Sequence, residues 1–331
     1  MTDKKRGQCV EGIDQTILTG FHDTLKSDVN QVQILTELAT KFTPKKVNTM
    51  KLADAYYELD LTGRAIRVRE CGTYLEFKVT EEKSKLSRAN FCKDRLCPMC
   101  NWRRSLKIYG QVSQIMNVVE KTGLKFIFLT LTVRNCKGAE LPITVDKLLQ
   151  GWRYLYNQNK EFKKIAKGTI RTLEVTRNKK TGEYHPHLHV IIAVKSDYFS
   201  NGYISQIKWS KLWQDACDLE YRPIVDVRRI TEKEDTGIIG AVAEISKYAV
   251  KDSDYLEGEK DEVKANVSHL LYALTRRHLC SFTGIFGDVR RSLNLDDVED
   301  GNLVNVNNEL RQDIAIMIVR YHWKSGVYVQ I

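Results

Sequence analysis

Three histidines alternate along one short segment, and this pattern constrains the fold more than any other in the chain. The segment is His185-Pro186-His187-Leu188-His189, and five apolar residues follow it directly. Such a run predicts a β-strand, in which side chains two positions apart lie about 6.6 Å apart on one face. The three imidazoles therefore share a face, an arrangement typical of a divalent metal site. A surface strand that carries histidines without a metal is the alternative.

A second strand precedes the histidines and is predicted to pair with them. Residues 169–176 are rich in β-branched side chains, and the turn-forming residues 178–183 follow. The two strands should form an antiparallel hairpin, which brings Glu174 beside the histidines. Because hard divalent cations prefer oxygen ligands, Glu174 is the favoured partner of His187 and His189, with His185 as the alternative.

Four of the eight cysteines lie close together in the sequence. Cys97 and Cys100 frame a tight turn that contains a proline, and Cys92 lies five residues before Cys97. Cys71 is the only other cysteine near enough to join them, on a predicted turn within the strand-like residues 66–79. Four thiolates form the closed tetrahedral site of a structural zinc ion. Reduced cysteines without a metal are the alternative.

The charge of the chain favours an anionic partner. Its formal net charge is +10, and residues 83–107 carry eight basic side chains against one acidic one. Nucleic acid is the first candidate for such a chain. A zinc module would hold Arg95, Arg103 and Arg104 against a phosphate backbone. No apolar run reaches the roughly 18 residues of a membrane span, and no signal-like apolar core follows the basic N-terminus, so we expect a cytoplasmic protein without a membrane partner.

A tyrosine and a carboxylate occur at helical spacing further along the chain. Residues 240–251 have a helical pattern, which would place Glu244, Tyr248 and Asp252 on one face and Lys247 and Lys251 on the adjacent row. A tyrosine whose phenolate is stabilised by lysines can attack phosphorus. Taken alone, the segment favours ordinary helix packing. Combined with a metal site and a basic chain, it favours a nucleophile.

In their order, these motifs resemble those of the plasmid rolling-circle replication initiators, which belong to the His-hydrophobe-His endonuclease superfamily. The motifs are Phe128-Leu-Thr-Leu-Thr132, the histidine strand, Glu244-Ile-Ser-Lys-Tyr248 and the Cys-x4-Cys-Pro-x-Cys-Asn-Trp-Arg-Arg stretch that begins at Cys92. The cysteine stretch is similar to that of the subgroup with one catalytic tyrosine and a glutamate four residues before it. The resemblance covers about residues 70–290.

The resemblance implies a role for each candidate residue. Tyr248 attacks a phosphodiester at the plasmid origin, forms a 5′-phosphotyrosine link and frees a 3′-hydroxyl that primes synthesis. His187 and His189 hold Mg²⁺ or Mn²⁺, which polarises the phosphate. Glu244 activates water in the terminating cleavage. Lys247 or Lys251 lowers the pKa of the tyrosine or holds a phosphate, and the sequence does not choose between them.

The expected fold class is α+β: an antiparallel sheet of the His-hydrophobe-His type flanked by helices, with an N-terminal zinc-binding module and a C-terminal extension. The predicted segments are a helical and polar region 1–70, the zinc-binding basic module 71–123, the nicking domain 124–256 and the C-terminal region 257–331.

The expected partner is bacterial plasmid origin DNA, both a single-stranded or hairpin nick site and a double-stranded recognition site. The resemblance also implies a host helicase and allows a homodimer. Two alternatives stay open. One is a transposase or mobilisation relaxase of the same superfamily. The other is a non-catalytic, zinc-dependent DNA-binding regulator with structural histidines.

Overall fold

Two antiparallel sheets organise the chain in the computed structural model, which describes residues 32–80, 83–231, 237–247, 249–306 and 317–331. Helices flank the sheets, so the predicted mixed α+β class is confirmed. The strands are β1 (Tyr74–Val79), β2 (Ser84–Ala89), β3 (Lys125–Thr132), β4 (Ala166–Arg177), β5 (Tyr184–Val194), β6 (Val225–Ile230), β7 (Cys280–Gly284), β8 (Met317–Lys324) and β9 (Val327–Gln330).

The helices vary widely in length. Residues 32–37 are helical, and a π-helical turn, Leu38–Phe42, connects them to the helix that begins at Thr43. The others are α1 (Thr43–Glu58), α2 (Thr62–Arg69), α3 (Pro98–Glu120), α4 (Leu141–Asn157), α5 (Lys160–Ile165), α6 (Tyr198–Asn201), α7 (Gln206–Ala216), α8 (Ile238–Ile245), α9 (Lys260–Leu274) and α10 (Ile285–Ser292). None of the described helices is both long and apolar enough to span a membrane.

The larger sheet has the strand order β6-β3-β5-β4-β7 and carries the histidine strand at its centre. Its middle strand, β5, is almost wholly buried, which explains the unbroken apolar run Val190–Val194. The predicted hairpin of β4 and β5 forms, with Glu174 opposite His187 and Thr172 opposite His189. At the edge, Gly284 adopts a left-handed φ of 54° and lies against the Lys167 carbonyl oxygen, where a Cβ would collide.

The smaller sheet has the order β2-β1-β8-β9 and joins distant parts of the chain. Tyr74 pairs with His322, and Val79 pairs with Met317. The hairpin of β8 and β9 turns at Ser325 and Gly326, both of which have a positive φ. The sheet therefore combines strands from the predicted zinc module and from the predicted C-terminal region.

Helix α3 connects the two sheets and is amphipathic. Its apolar face, which includes Ile108, Val112 and Ile115, is fully buried. A strap, residues 296–304, runs along its polar side: Lys107 Nζ lies 2.6 Å from an Asp296 carboxylate oxygen and 3.1 Å from the Asn302 carbonyl oxygen. The polar face is thus covered by the chain itself.

Two predicted elements are corrected. The helix predicted over residues 240–251 ends at Ile245, so Glu244 and Asp252 do not share a helical face. Asp252 instead begins a short 3₁₀ turn, because Lys251 is extended. The strand-like residues 66–79 contain the end of α2, whose buried Ala65 and Val68 have helical spacing, followed by a turn and β1.

Candidate functional site

Three side chains from the central hairpin converge on one point. Glu174 lies on β4, and His187 and His189 lie on the same face of β5. His187 Nε2 is 3.1 Å from His189 Nε2, and a Glu174 carboxylate oxygen lies 3.3 Å and 3.1 Å from these two atoms. All three side chains are buried. We call this group the Glu-His-His cluster.

Hydrogen bonds on the far side of each imidazole orient the cluster. His187 Nδ1 lies 3.1 Å from the His185 carbonyl oxygen, to which only a protonated Nδ1 can donate. In a neutral His187 this leaves the lone pair of Nε2 directed at the cluster. His189 Nδ1 lies 3.3 Å from Thr130 Oγ1, on the neighbouring strand β3. These contacts match the outer-shell bonds that orient metal-ligating histidines.

The donor set fits a divalent cation. Ligands at right angles and about 2.1 Å from one cation lie about 3 Å apart, close to the separations seen here. Burial alone would raise the pKa of Glu174, but His187 and His189 hold it well below its ordinary value. The cluster thus offers one carboxylate and two imidazole nitrogens to a common point.

His185 stands apart from the cluster. Its Nδ1 contacts Asn135 Oδ1 at 2.8 Å, and its ring is farther out on the same face of β5. Burial and the neighbouring His187 lower the pKa of His185. The structure therefore brings Glu174, and not His185, to the two histidines.

Glu244 approaches the cluster from α8. Its Oε1 lies 3.6 Å from His189 Nε2, and both of its carboxylate oxygens lie 2.6 Å from Lys247 Nζ. Tyr248 lies outside the described residues. Lys251 is exposed and forms no side-chain hydrogen bond or ion pair with the residues that are described. The two lysines that the sequence leaves equivalent thus differ in their surroundings.

The four predicted cysteines form a second cluster, distant in sequence from the first. Cys71 Sγ lies 3.6 Å from Cys100 Sγ and from Cys97 Sγ, and Cys92 Sγ lies 3.7 Å from Cys100 Sγ. No two of them are disulfide-bonded. Four sulfurs 2.3 Å from a central zinc ion lie about 3.8 Å apart, so the spacing fits a tetrahedral thiolate site.

Backbone and side-chain donors surround these sulfurs. The backbone N–H of Lys93 donates to Cys100 Sγ at 3.3 Å, which the left-handed φ of 58° at Lys93 permits. Lys46 is wholly buried beside them, and its Nζ donates to the Cys71 carbonyl oxygen at 2.9 Å. Burial lowers the pKa of Lys46, and the charges of Cys71 and Cys97 oppose this shift. The buried Lys46 amine is placed where, as an ammonium, it would offset the negative charge of thiolates.

The arginines predicted to contact a phosphate backbone are used inside the fold. Arg103 and Arg104 are only 5% and 1% exposed. Arg95 pairs with Glu299 at 2.9 Å. The structure corrects the prediction for Arg103 and Arg104, because a buried guanidinium with occupied donors cannot contact DNA. The acceptors are the carbonyl oxygens of Leu303 and Val304 for Arg103, and those of Lys93, Asp94 and Glu299 for Arg104.

Sequence reasoning missed Lys46 and Thr130. No motif distinguishes Lys46 from the other lysines of α1, since its burial depends on the fold around the cysteines. The position of Thr130 could have been predicted from the sequence. It alternates with Phe128 and Thr132 on β3, and pairing of β3 with the histidine strand places it opposite His189.

Fold and site together define an antiparallel α+β protein with a buried Glu-His-His cluster and a separate four-cysteine cluster. The chain belongs to the replication protein family, whose model matches residues 83–329. It is 41% identical to a protein named Protein rep from a Bacillus species. That alignment spans 279 residues, which are 78% of this chain and 89% of the relative. A Protein rep from Streptococcus pneumoniae is 38% identical over 296 residues, 86% of this chain and 91% of the relative. No solved structure shows significant similarity.

Proposed function

We propose that this chain initiates plasmid replication by nicking and rejoining origin DNA, as a metal-dependent endonuclease of the His-hydrophobe-His class. The observation that carries the proposal is the Glu-His-His cluster, with Glu244 3.6 Å from His189 on the segment that leads to Tyr248. Membership of the replication protein family supports the same role.

In this proposal Glu174, His187 and His189 hold Mg²⁺ or Mn²⁺, which when bound would stabilise negative charge on the scissile phosphate. The rigid central strands fix the three donors, so little reorganisation is needed to bind the cation. Thr130 and the His185 carbonyl keep the two imidazoles oriented. His185 itself serves through its backbone and is not a ligand.

Tyr248 is the proposed nucleophile. Its phenolic oxygen forms a bond to phosphorus, the 3′-oxygen of the preceding nucleotide leaves, and the phenolic proton passes to solvent or to a nearby base. The resulting 5′-phosphotyrosine link preserves the phosphodiester energy for rejoining. Glu244, which pairs with Lys247, then takes a proton from water in the terminating cleavage.

The four-cysteine cluster is proposed to bind structural zinc. Its sulfur spacing, the N–H donors that face it and the buried Lys46 support this assignment. Origin DNA is the proposed partner, and a host helicase and a homodimer are further expectations from the resemblance. The buried positions of Arg103 and Arg104 assign them to holding the cysteine region and the strap together.

The proposal is tested by trapping the covalent intermediate. Single-stranded oligonucleotides that tile the DNA flanking the gene are incubated with the protein and Mn²⁺, and adducts that survive detergent are mapped by mass spectrometry. We expect one adduct, on Tyr248, which Tyr248→Phe and His187→Ala abolish. Tyr272→Phe is the matched control, since this exposed tyrosine lies on α9, and it should form the adduct normally.

A second variant separates cleavage from termination. Glu244→Gln should still form the adduct but release it slowly, because the base for water is lost. An adduct that persists in Tyr248→Phe would contradict the assignment of the nucleophile. Undiminished nicking by His187→Ala in chelator would overturn the proposed role of the metal. No adduct and no nicking by the wild-type chain with Mn²⁺ would favour the non-catalytic regulator over the enzyme.

A further inference from the structure

A cavity of about 210 Å³ lies between the amino end of α3 and the segment that follows α8. Pro98, Asn101, Trp102 and Ser105, at one-turn spacing along α3, form one wall. The other wall is formed by Lys247, Val250, Lys251, Asp252 and Tyr255, with Lys45 from α1 at its side. The cavity thus belongs to both the cysteine region and the candidate active-site segment.

The charge of the cavity suits a nucleotide. Three lysines, Lys45, Lys247 and Lys251, line it against one carboxylate, that of Asp252. Lys45 Nζ lies 3.0 Å from Asp252, so that carboxylate is already neutralised. Lys247 is occupied by Glu244, which leaves Lys251 as the lysine able to bind a phosphate.

The wall on α3 supplies groups that recognise a base. Trp102 is partly buried and packs edge-on against Phe42, with ring centroids 4.9 Å apart, so its indole is held in place. Asn101 is only 7% exposed, and its Nδ2 forms no hydrogen bond with any described residue. Its Oδ1 accepts from Arg104 at 3.1 Å, which fixes the amide orientation. A buried donor without an acceptor destabilises the fold unless a ligand satisfies it.

The cavity also adjoins the Glu-His-His cluster. Lys247 lines it and pairs with Glu244, whose Oε1 lies 3.6 Å from His189 Nε2. Two side-chain contacts therefore connect the cavity to the candidate metal site. A DNA strand whose scissile phosphate lies at the cluster can place a neighbouring nucleotide here.

We propose that this cavity binds one nucleotide of the single DNA strand that is cleaved. The base stacks on Trp102 and accepts a hydrogen bond from Asn101 Nδ2, and Lys251 binds the adjoining phosphate. This inference rests on the proposed function and extends it to a substrate subsite. The subsite lies between the amino end of α3, beside the cysteines, and the residues that follow α8. Stacking tolerates any base, so the origin sequence need not be known to test it.

Binding of fluorescein-labelled dT8 is measured by anisotropy without added Mn²⁺. Trp102→Ala should weaken binding by about ten-fold, and Trp102→Phe by less than about three-fold. Asn101→Asp keeps the acceptor for Arg104 but loses the donor, and should also weaken binding. Since Trp102 packs on Phe42, the urea midpoint of each variant is also measured, to show that the variant is folded. Lys251 is exposed, so its substitution gives a test that does not depend on packing.

Lys251→Ala should reduce the slope of log affinity against log salt by about 0.7, the value for one phosphate contact on a single strand. Lys121→Ala is the control: this exposed lysine follows the other end of α3, about 34 Å away, and should leave affinity and slope unchanged. Unaltered dT8 binding by folded Trp102→Ala would overturn the proposal.

Photocrosslinking locates the bound strand. An oligonucleotide that carries 5-iododeoxyuridine should link to the peptide that contains Trp102, and a crosslink found only elsewhere would overturn the proposal. Thymidine monophosphate that competes as strongly as dT8 would show a site for free nucleotides and would overturn it too. Failure of the proposed function looks different: the Trp102 crosslink forms, but no covalent Tyr248 adduct appears.

Discussion

Glu174 and His187 lie directly opposite each other on neighbouring antiparallel strands, and their side chains approach to 3.3 Å. The register of one hairpin therefore decides which acidic residue joins the histidines. A shift of one residue would turn Glu174 to the other face of the sheet. The cluster is a property of strand pairing, and this makes its ligand set testable residue by residue.

Glu174→Gln should weaken Mn²⁺ binding by about 100-fold or more, because the only carboxylate of the cluster is lost from a buried site. Isothermal titration of the purified chain with Mn²⁺ measures the change. His185→Ala is the matched control, since His185 Nδ1 contacts Asn135 and its ring lies beside His187 without joining the donor atoms, and it should change the affinity by less than about two-fold. An equal loss of Mn²⁺ affinity in both variants would show that His185 is a ligand.

Cys71→Ala should abolish binding of zinc, which wild-type chain should hold at one ion per molecule. Cys71 is the cysteine most distant in sequence from the other three, and its sulfur lies within 3.6 Å of two of them. Metal content after gel filtration measures the effect. Cys217→Ala removes a buried cysteine outside the cluster and should retain the zinc. Zinc retained by Cys71→Ala at full stoichiometry would show a three-cysteine site.

Arg104→Ala should lower the free energy of unfolding by about 3–5 kcal/mol, because several buried carbonyl oxygens lose their donor. Urea denaturation followed by circular dichroism gives this value. Arg88→Ala is the comparison: its side chain is 76% exposed, and the change should stay within about 0.5 kcal/mol. An Arg104→Ala protein that is as stable as wild type but binds DNA more weakly would show that Arg104 contacts DNA.

Acid should loosen the strap from α3. Burial alone would raise the pKa of Asp296, but hydrogen bonds from Lys107 and from the Asn302 backbone N–H lower it below its ordinary value of 3.8. Because the pKa is lower in the folded state, this carboxylate stabilises the fold above about pH 3.8, and the contribution is lost as pH falls through the folded-state value. Urea midpoints measured from pH 5 downward should fall less steeply for Asp296→Asn than for wild type. Equal slopes of urea midpoint against pH in the two proteins would show that Asp296 makes no such contribution to stability.

Local patterns in the sequence predict much of the central sheet. Alternating histidines and the turn at residues 178–183 predict the β4–β5 hairpin, and the spacing of Cys92, Cys97 and Cys100 predicts their cluster. These signals work because each depends on neighbours in the chain. The pairing of β4 with β5 needs only a short turn, so the position of Glu174 follows from the sequence as well.

Features that depend on distant segments escape such reasoning. The basic residues of α3 have the pattern of a DNA-binding face, yet Arg103 and Arg104 are covered by a strap some 200 residues later. The helix at residues 240–251 is predicted too long, because the spacing of Glu244 and Asp252 is helical while Asp252 is held by Lys45 and Asn48. In both cases tertiary contacts override the local pattern.

The pairing of β1 with β8 has a consequence for how the protein is made. Tyr74 meets its partner His322 only after roughly 250 further residues have been synthesised, a large loop to close. The sheet beside the four cysteines is therefore completed late, when the last strands have left the ribosome. A chain cut short before residue 317 would keep the central hairpin but lack the strand that closes this sheet, so translation itself sets the order in which the two sheets are completed.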